Sequence, residues 1–230
     1  MATVPLAFMT AALGLFVRIG LDTPPEDGSM APSKGQVVVI NGASSSVGSY
    51  GVQLAKHAGY TVVGVAGQSA DVATELGANK IINYRGKDDS QLVGELKEAV
   101  GALGGQLAGA LDCVSTTETN LVIAKVVAAF GGGKMSHVLP TDVVKDPSLL
   151  PEGVSTLDSA VFDAQDKDAE FAAKWYRLIG KWIDSGKFKP NKVKIVPGGL
   201  DGVVEGLKLL ENNQVNGVKL VYRISETKST

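Results

Sequence analysis

The stretch VVVINGASSSVGSYGVQLAKHAGYTVVGVAG, residues 37–67, is the most informative part of the sequence for the fold. Val37 to Ile40 form an uninterrupted apolar run, which is typical of a strand buried on both faces, as a parallel sheet requires. A turn rich in glycine and serine follows, then a segment with apolar residues at helical spacing, then a second β-branched run from Thr61 to Val65. This order of strand, turn, helix and strand predicts the first half of a dinucleotide-binding unit.

The turn has the chemistry of an anion site. Gly42 permits a backbone conformation that other residues avoid, and Ser44 to Ser46 place hydroxyls and N–H groups at a helix N-terminus, where the dipole favours a phosphate. Only the last glycine of the G-x-G-x-x-G pattern is present, because the aligned positions are Ala43, Ser45 and Gly48. The strand and helix around the turn therefore support a nucleotide-binding site more strongly than the glycine motif does. The alternative is that small residues simply join a strand to a helix, with no ligand bound.

Composition narrows the possible functions. The 230 residues carry a net charge of -2 and are 44% hydrophobic, which is typical of a soluble globular protein and argues against nucleic acid as a partner. One cysteine, Cys113, cannot form an internal disulfide, and with only two histidines the chain lacks the ligands of a zinc site. We expect a reducing, cytoplasmic location without metal, and we interpret residues 2–19 as a buried helix rather than a membrane span.

Strands and helices alternate through the rest of the chain. Together they predict an α/β fold, a Rossmann-type doubly wound sheet of mostly parallel strands. The further predicted strands are 80–84, 108–114, 133–139, 154–162, 193–196 and 218–224, and the further predicted helices are 72–76, 90–100, 118–128, 169–185 and 203–212.

Several segments resemble the medium-chain dehydrogenase/reductase superfamily, in particular its zinc-free quinone reductase and fungal enoyl reductase branches. The resemblance rests on PLAFMTAALGLF, GASSSVGSYGVQLAKHAGY, ELGANKIINYR, ALDCVS and PGGLDGVVEGLKLLENNQVNGVKLVYRI. It implies an N-terminal GroES-like substrate domain, which this sequence does not include. We accordingly expect residues 1–188 to form a cofactor-binding domain that begins with a hinge helix, and residues 189–230 to be a remnant of the substrate domain. Apolar edges that would pack on the substrate domain predict self-association of the chain as a homodimer.

The resemblance also implies hydride transfer from NADPH to a small enone or quinone. An acidic residue after the second strand would bind the ribose hydroxyls of NAD, and none is present at residues 66–69. Ser69 and Tyr84 match the family positions that contact the 2'-phosphate of NADPH. NADPH is therefore the expected cofactor over NADH. No arginine or lysine directly follows the second strand, so the 2'-phosphate would depend on hydroxyls and on Arg85, a weaker anchor than a bidentate guanidinium.

Other candidates follow from the resemblance and from the ends of strands, where open parallel sheets bind ligands. Thr10 matches a family position near the cofactor, although packing would explain it equally well. His137 is also at a strand end, but it has no evident partner, and His57 is expected at the surface. The predicted cofactor contacts are Thr10, Ser44, Ser45, Ser46, Val47, Ser69, Tyr84, Ser115, Leu139 and Phe162; the sequence identifies no catalytic residue.

Two alternatives to an enzyme remain open. A binding module would retain the nucleotide and catalyse nothing by itself. A scaffold would have lost the phosphate site together with two of the three turn glycines, and it would bind no nucleotide.

Overall fold

The computed structural model describes residues 2–228, with the side chains of residues 143 and 144 left out. Six parallel strands form one sheet, which confirms the predicted α/β class with a mostly parallel sheet, and their order is β3-β2-β1-β4-β5-β6. Successive strands are added toward one edge of the sheet from β1 to β3 and toward the other edge from β4 to β6, and such sheets open a crevice at this switch point between β1 and β4. The strands are β1 (Val37–Asn41), β2 (Thr61–Ala66), β3 (Lys80–Asn83), β4 (Leu107–Asp112), β5 (Gly133–His137) and β6 (Val154–Asp158).

Helices cover both faces of this sheet, and the last helix of the chain packs on the C-terminal strands instead. The helices are α1 (Pro5–Ala12), α2 (Ser46–His57), α3 (Ala70–Glu75), α4 (Asp89–Ala102), α5 (Thr117–Ala129), α6 (Asp142–Lys145), α7 (Ala169–Asp184) and α8 (Val203–Glu211). Alternate β1 residues face opposite layers: Val38 and Ile40 join the core beneath α1, α2 and α7, whereas Val37 and Val39 join the core beneath α4 and α5. This double burial explains why β1 has no polar alternation.

The N-terminal helix changes its winding. Residues 5–12 are α-helical and Leu13–Ile19 continue as a π-helix. Gly14 allows this segment to lie against the sheet, because a Cβ there would come within 2.8 Å of Leu111 Cδ1. Arg18, at the end of the π-helix, is paired with Asp163 at 2.7 Å and with Asp168 at 2.5 Å. These contacts fix the helix to the chain that follows β6.

The C-terminal segment forms a second, two-stranded parallel sheet of β7 (Val193–Val196) and β8 (Lys219–Tyr222). An isolated pair of strands is marginal in water, so its contacts with the first sheet's helices matter. Residues 189–191 run along α2 and bond to Tyr50 and Gln53. The division at residue 188 stays a prediction.

Several predicted boundaries were wrong. The strand predicted over 154–162 ends at Asp158, and Phe162 lies in a 3-10 helix, Val161–Gln165. The chain turns away because Arg18 Nε donates to the Asp158 carbonyl and the Ser159 hydroxyl donates to the Thr10 carbonyl. The strands predicted to end at residues 114 and 139 end at Asp112 and His137, so Ser115 and Leu139 lie in loops.

His57 is not a surface residue. Its ring is half-buried between Trp182 and Phe188, with centroid separations of 6.4 and 5.9 Å, and its Nδ1 lies 3.1 Å from the Gly28 carbonyl oxygen. The aromatic residues of α7 and the following turn cover this end of α2, which the local helical pattern did not reveal.

Candidate functional site

A cavity of about 440 Å³ opens at the carboxyl ends of β1, β2 and β4. It lies at the switch point of the sheet, the location at which open α/β folds bind ligands. Its walls come from the four connections that follow β1, β2, β3 and β4, the last of which includes the first turn of α5, and from residues 215–217. They include Gly42, Ser45, Ser69, Arg85, Val114 and Thr119.

The turn after β1 is shaped for close approach to a ligand. Gly42 has φ +69°, a left-handed conformation that favours glycine. A Cβ on Gly48 would overlap the carbonyl oxygen of Gly42, so only glycine lets α2 begin this close to the strand. Ser45 is the helix N-cap, and its Oγ accepts from the Gly48 N–H at 3.0 Å. The Ser45 hydroxyl therefore stabilises the helix start, while Ser44 and Ser45 both line the cavity.

A lysine from the C-terminal segment reaches the same helix start. The Lys219 ammonium donates to Ser46 Oγ at 3.2 Å, and the Ser46 hydroxyl donates to Asn191 Oδ1 at 2.7 Å. A cation here adds to the positive end of the α2 dipole. Sequence reasoning missed both partners, because they lie 173 and 145 residues away from Ser46 and follow no local motif.

Arg85 and Tyr84, from the loop after β3, lie at the end of β2. A Cβ on Gly67 would come within 2.9 Å of both Arg85 Nε and Tyr84 Cε1, so these two side chains lie directly over the glycine backbone. Ser69 and Gln68 line the same cavity wall. Among the described residues, no carboxylate lies within 4 Å of the Arg85 guanidinium, which leaves its N–H groups to the cavity and solvent.

The remaining predicted residues are less directly engaged. Thr10 is buried, and its hydroxyl donates to the Leu6 carbonyl at 2.9 Å. This arrangement matches the packing alternative for Thr10. Val47 is half-buried in the first turn of α2. Ser115 is buried beside the cavity wall, whereas Leu139 and Phe162 are 55% and 79% exposed. None of these five lines the cavity.

Two further groups have pKa values that bear on chemistry. Burial lowers the pKa of His137, whose Nε2 has no hydrogen-bond partner among the described residues. Burial, with a smaller effect of the Asp112 charge, raises the pKa of the Cys113 thiol well above its usual value. Because His137 is fully buried and the Cys113 thiolate is disfavoured, neither group is suited to acid, base or nucleophilic catalysis.

A second cavity of about 540 Å³ lies on the other side of residues 215–217. Ser46 and Lys219 line its polar end, and Leu207 and Leu210 of α8 contribute to its apolar wall. Gly217 separates the two cavities and touches α3, since a Cβ there would lie 2.9 Å from Val72 Cγ2. The C-terminal segment thus forms one boundary of the candidate nucleotide cavity.

The described residues form neither a metal-ligand cluster nor a membrane-spanning helix. Residues 2–228 contain no group of three or more His, Cys, Asp or Glu placed to hold a metal ion. No helix in that range combines the length and hydropathy needed to cross a bilayer.

Comparison with known proteins finds similarity to dehydrogenases and enoyl reductases. A family model described as zinc-binding dehydrogenase matches residues 46–146. The described residues do not fit the zinc in that description. The trans-enoyl reductase himH of Aspergillus japonicus is 32% identical over 98% of this chain and 62% of its own length. The trans-enoyl reductase ACTTS2 of Alternaria alternata is 31% identical over 97% of this chain and 64% of its own length.

Solved structures share the fold. An enoyl reductase-type cyclopropanase of curacin A biosynthesis superposes with a TM-score of 0.72 at 22% identity, over 96% of this chain and 62% of its own. A mycobacterial protein whose structure holds NADPH superposes with a TM-score of 0.66 at 18% identity, over 96% and 64%. The chain therefore spans a little under two thirds of the proteins that it matches.

Proposed function

Because the chain belongs to the medium-chain dehydrogenase/reductase superfamily, we propose that it binds NADPH in the cavity at the carboxyl edge of its sheet and serves the reduction of an enoyl substrate. The observation that carries this proposal is the turn from Gly42 to Gly48, which starts α2 at the cavity with a glycine backbone, a serine cap and a nearby lysine. The relatives named trans-enoyl reductases support the substrate class.

The two cationic groups match the two phosphate positions of the cofactor. The α2 N-terminus is suited to the pyrophosphate: Ser44 and Ser45 line the nucleotide cavity, and Lys219 adds a positive charge at Ser46 from the side of the adjoining cavity. Arg85, over Gly67 at the end of β2, is suited to the 2'-phosphate, and Ser69 lines the same cavity. Guanidinium binds phosphate strongly through paired N–H donors, so Arg85 accounts for a preference for NADPH over NADH.

When bound, the nicotinamide supplies a hydride to the β-carbon of a conjugated double bond. The described residues orient the nucleotide: the turn after β1 holds the phosphates, and the loops after β2 and β3 hold the adenosine end. His137 and Cys113 are unsuited to proton transfer, so we assign no proton donor in this chain.

The first experiment is a calorimetric titration of the chain with NADPH and with NADH. We expect NADPH to bind at least about tenfold more tightly, from one additional charge-assisted contact. The Arg85→Ala variant should lose that preference by weakening NADPH alone. Arg177→Ala, an exposed arginine of α7 outside the cavity, is the matched control. No binding of either nucleotide would refute the proposal and favour a scaffold.

The second experiment addresses the substrate. Protein that binds NADPH is mixed with a short enoyl thioester, and oxidation of the cofactor is followed. Turnover that depends on both components supports enoyl reduction. Binding without turnover would refute catalysis by this chain alone and favour the nucleotide-binding module.

A further inference from the structure

Asp112 is a fully buried carboxylate at the last position of β4. Its two oxygens accept five hydrogen bonds. Oδ1 accepts from Asn41 Nδ2 at 2.8 Å and from the backbone N–H groups of Val114 and Ser115 at 2.9 and 3.1 Å. Oδ2 accepts from Thr119 Oγ1 and Asn120 Nδ2, both at 2.7 Å. Among the described residues no cation pairs with this carboxylate, so these five donors alone compensate its burial.

Three of the donors to Asp112 belong to residues that line the nucleotide cavity. Asn41 ends β1, Val114 lies in the loop after β4, and Thr119 is in the first turn of α5; all three line the cavity. Asp112 itself does not line it. The carboxylate thus lies behind the wall and bonds to the residues that form it.

The loop after β4 needs such support because of its conformation. Ser115 has φ +60°, in the left-handed region that non-glycine residues rarely adopt. Its N–H donates to Asp112 Oδ1, its hydroxyl donates to the Asp112 carbonyl at 2.8 Å, and its Oγ accepts from the Val138 N–H at 2.8 Å. Asp112 therefore holds the loop in place, and Ser115 connects it to the end of β5.

We propose that Asp112 is a positioning residue for the nucleotide site, which preorganises the cavity wall formed by β1, the loop after β4 and α5. This inference rests on the proposed function. Preorganisation matters because ordering a loop at the moment of binding would reduce affinity. The loop also adjoins the phosphate turn, since a Cβ on Gly42 would lie 3.0 Å from Val114 Cγ2.

The carboxylate is specifically required because every partner donates. In Asp112→Asn, one oxygen becomes an NH2 group, which cannot accept from Thr119 or Asn120. The Thr119 hydroxyl can rotate, but the Asn120 amide must turn over, and its Oδ1 accepts from Thr141 Oγ1 at 3.1 Å. In the double variant Asp112→Asn with Asn120→Asp, the new carboxylate accepts from residue 112 and from Thr141, so one pair is restored with donor and acceptor exchanged.

The test measures dissociation constants for 2',5'-ADP and NADPH by calorimetry, with thermal unfolding measured in parallel. We expect Asp112→Asn to weaken both ligands at least about tenfold, and the double variant to recover most of that loss. Asp168→Asn is the matched control, because it also converts a largely buried carboxylate to an amide, at the Arg18 ion pair and outside the cavity. Its dissociation constants should stay within about twofold of the wild-type values.

A second variant covers the case in which Asp112→Asn does not fold. Asn120→Ala removes one donor to Asp112, and Asn120 is buried without lining the cavity. We expect about threefold weaker binding from this variant. Unchanged affinity in the variants that fold, or an equal loss in Asp168→Asn, would overturn the positioning role. If the wild-type protein binds neither ligand, the proposed function itself fails.

Discussion

The side chain of Gln53 pairs with the backbone of Lys189 across 136 residues of sequence: Gln53 Oε1 accepts from the Lys189 N–H at 2.8 Å, and Gln53 Nε2 donates to the Lys189 carbonyl at 3.1 Å. This amide fixes the start of the C-terminal segment on α2. Gln53→Leu leaves both backbone groups without their partner, and we expect a loss of about 2–3 kcal/mol in the free energy of unfolding. Denaturant titration measures it.

The control for Gln53→Leu is Gln106→Leu, which makes the same substitution at an exposed position just before β4. Its free energy of unfolding should lie within about 0.5 kcal/mol of the wild-type value. Hydrogen exchange at Lys189 and Asn191 should also accelerate in Gln53→Leu. Unchanged exchange would mean that other contacts hold the segment in place.

Gly48→Ala should abolish nucleotide binding, because the new methyl group would overlap the Gly42 carbonyl and force the turn apart. We expect destabilisation of roughly 3 kcal/mol or more from overpacking against backbone. Gly94→Ala in α4 is the opposite case, since its Cβ would meet open space. That exposed helical position should gain about 0.5–1 kcal/mol and leave binding unchanged. Nucleotide binding retained in Gly48→Ala would show that the turn does not contact the ligand.

Lys219→Met should weaken NADPH and NADH equally, by about tenfold, because both contain the pyrophosphate and Lys219 supplies a charge-assisted contact at the α2 N-terminus. Affinity should also depend less on salt than in the wild type. Lys194→Met, an exposed lysine of β7, controls for net charge. A selective loss of NADPH in Lys219→Met would instead place Lys219 at the 2'-phosphate.

Stability should decrease as the solution is acidified from pH 7 toward pH 5. Burial lowers the pKa of His57 and of His137 in the folded protein, whereas the unfolded chain has the ordinary value of about 6.5. At pH values between the lowered pKa values and about 6.5, the unfolded chain binds more protons than the folded protein. The contribution of the two histidines to stability is therefore fully present above about pH 6.5 and is lost as the pH falls toward their lowered pKa values.

His137→Asn retains a polar atom near the Nδ1 position, which lies 2.7 Å from Thr156 Oγ1. It should remove up to about 1.4 kcal/mol per pH unit from the slope of unfolding free energy against pH. Urea titrations at a series of pH values measure this slope. A slope identical to that of the wild type would show that His137 is not buried in its neutral form.

Local patterns predicted the regular elements well where the pattern itself reflects burial. The apolar run of β1 predicted a strand buried on both faces, and the glycines of the first turn predicted its left-handed backbone. The prediction for β6 went wrong because Val154 to Phe162 has no internal stop signal. That strand ends where Arg18, from another part of the chain, binds its last carbonyl.

Hydrophobic periodicity and glycine placement act over a few residues, so the amino-acid sequence alone indicated the α/β class, the succession of strand, turn, helix and strand in the first unit, and the glycine-containing turn after β1. The contacts between residues distant in sequence became visible in the three-dimensional structure alone: Lys219 at Ser46, Arg85 over Gly67, and five donors around Asp112. The physical reason is that hydrogen bonds and ion pairs join whichever groups the packing of sheet and helices brings together, and separation along the chain carries no record of that packing.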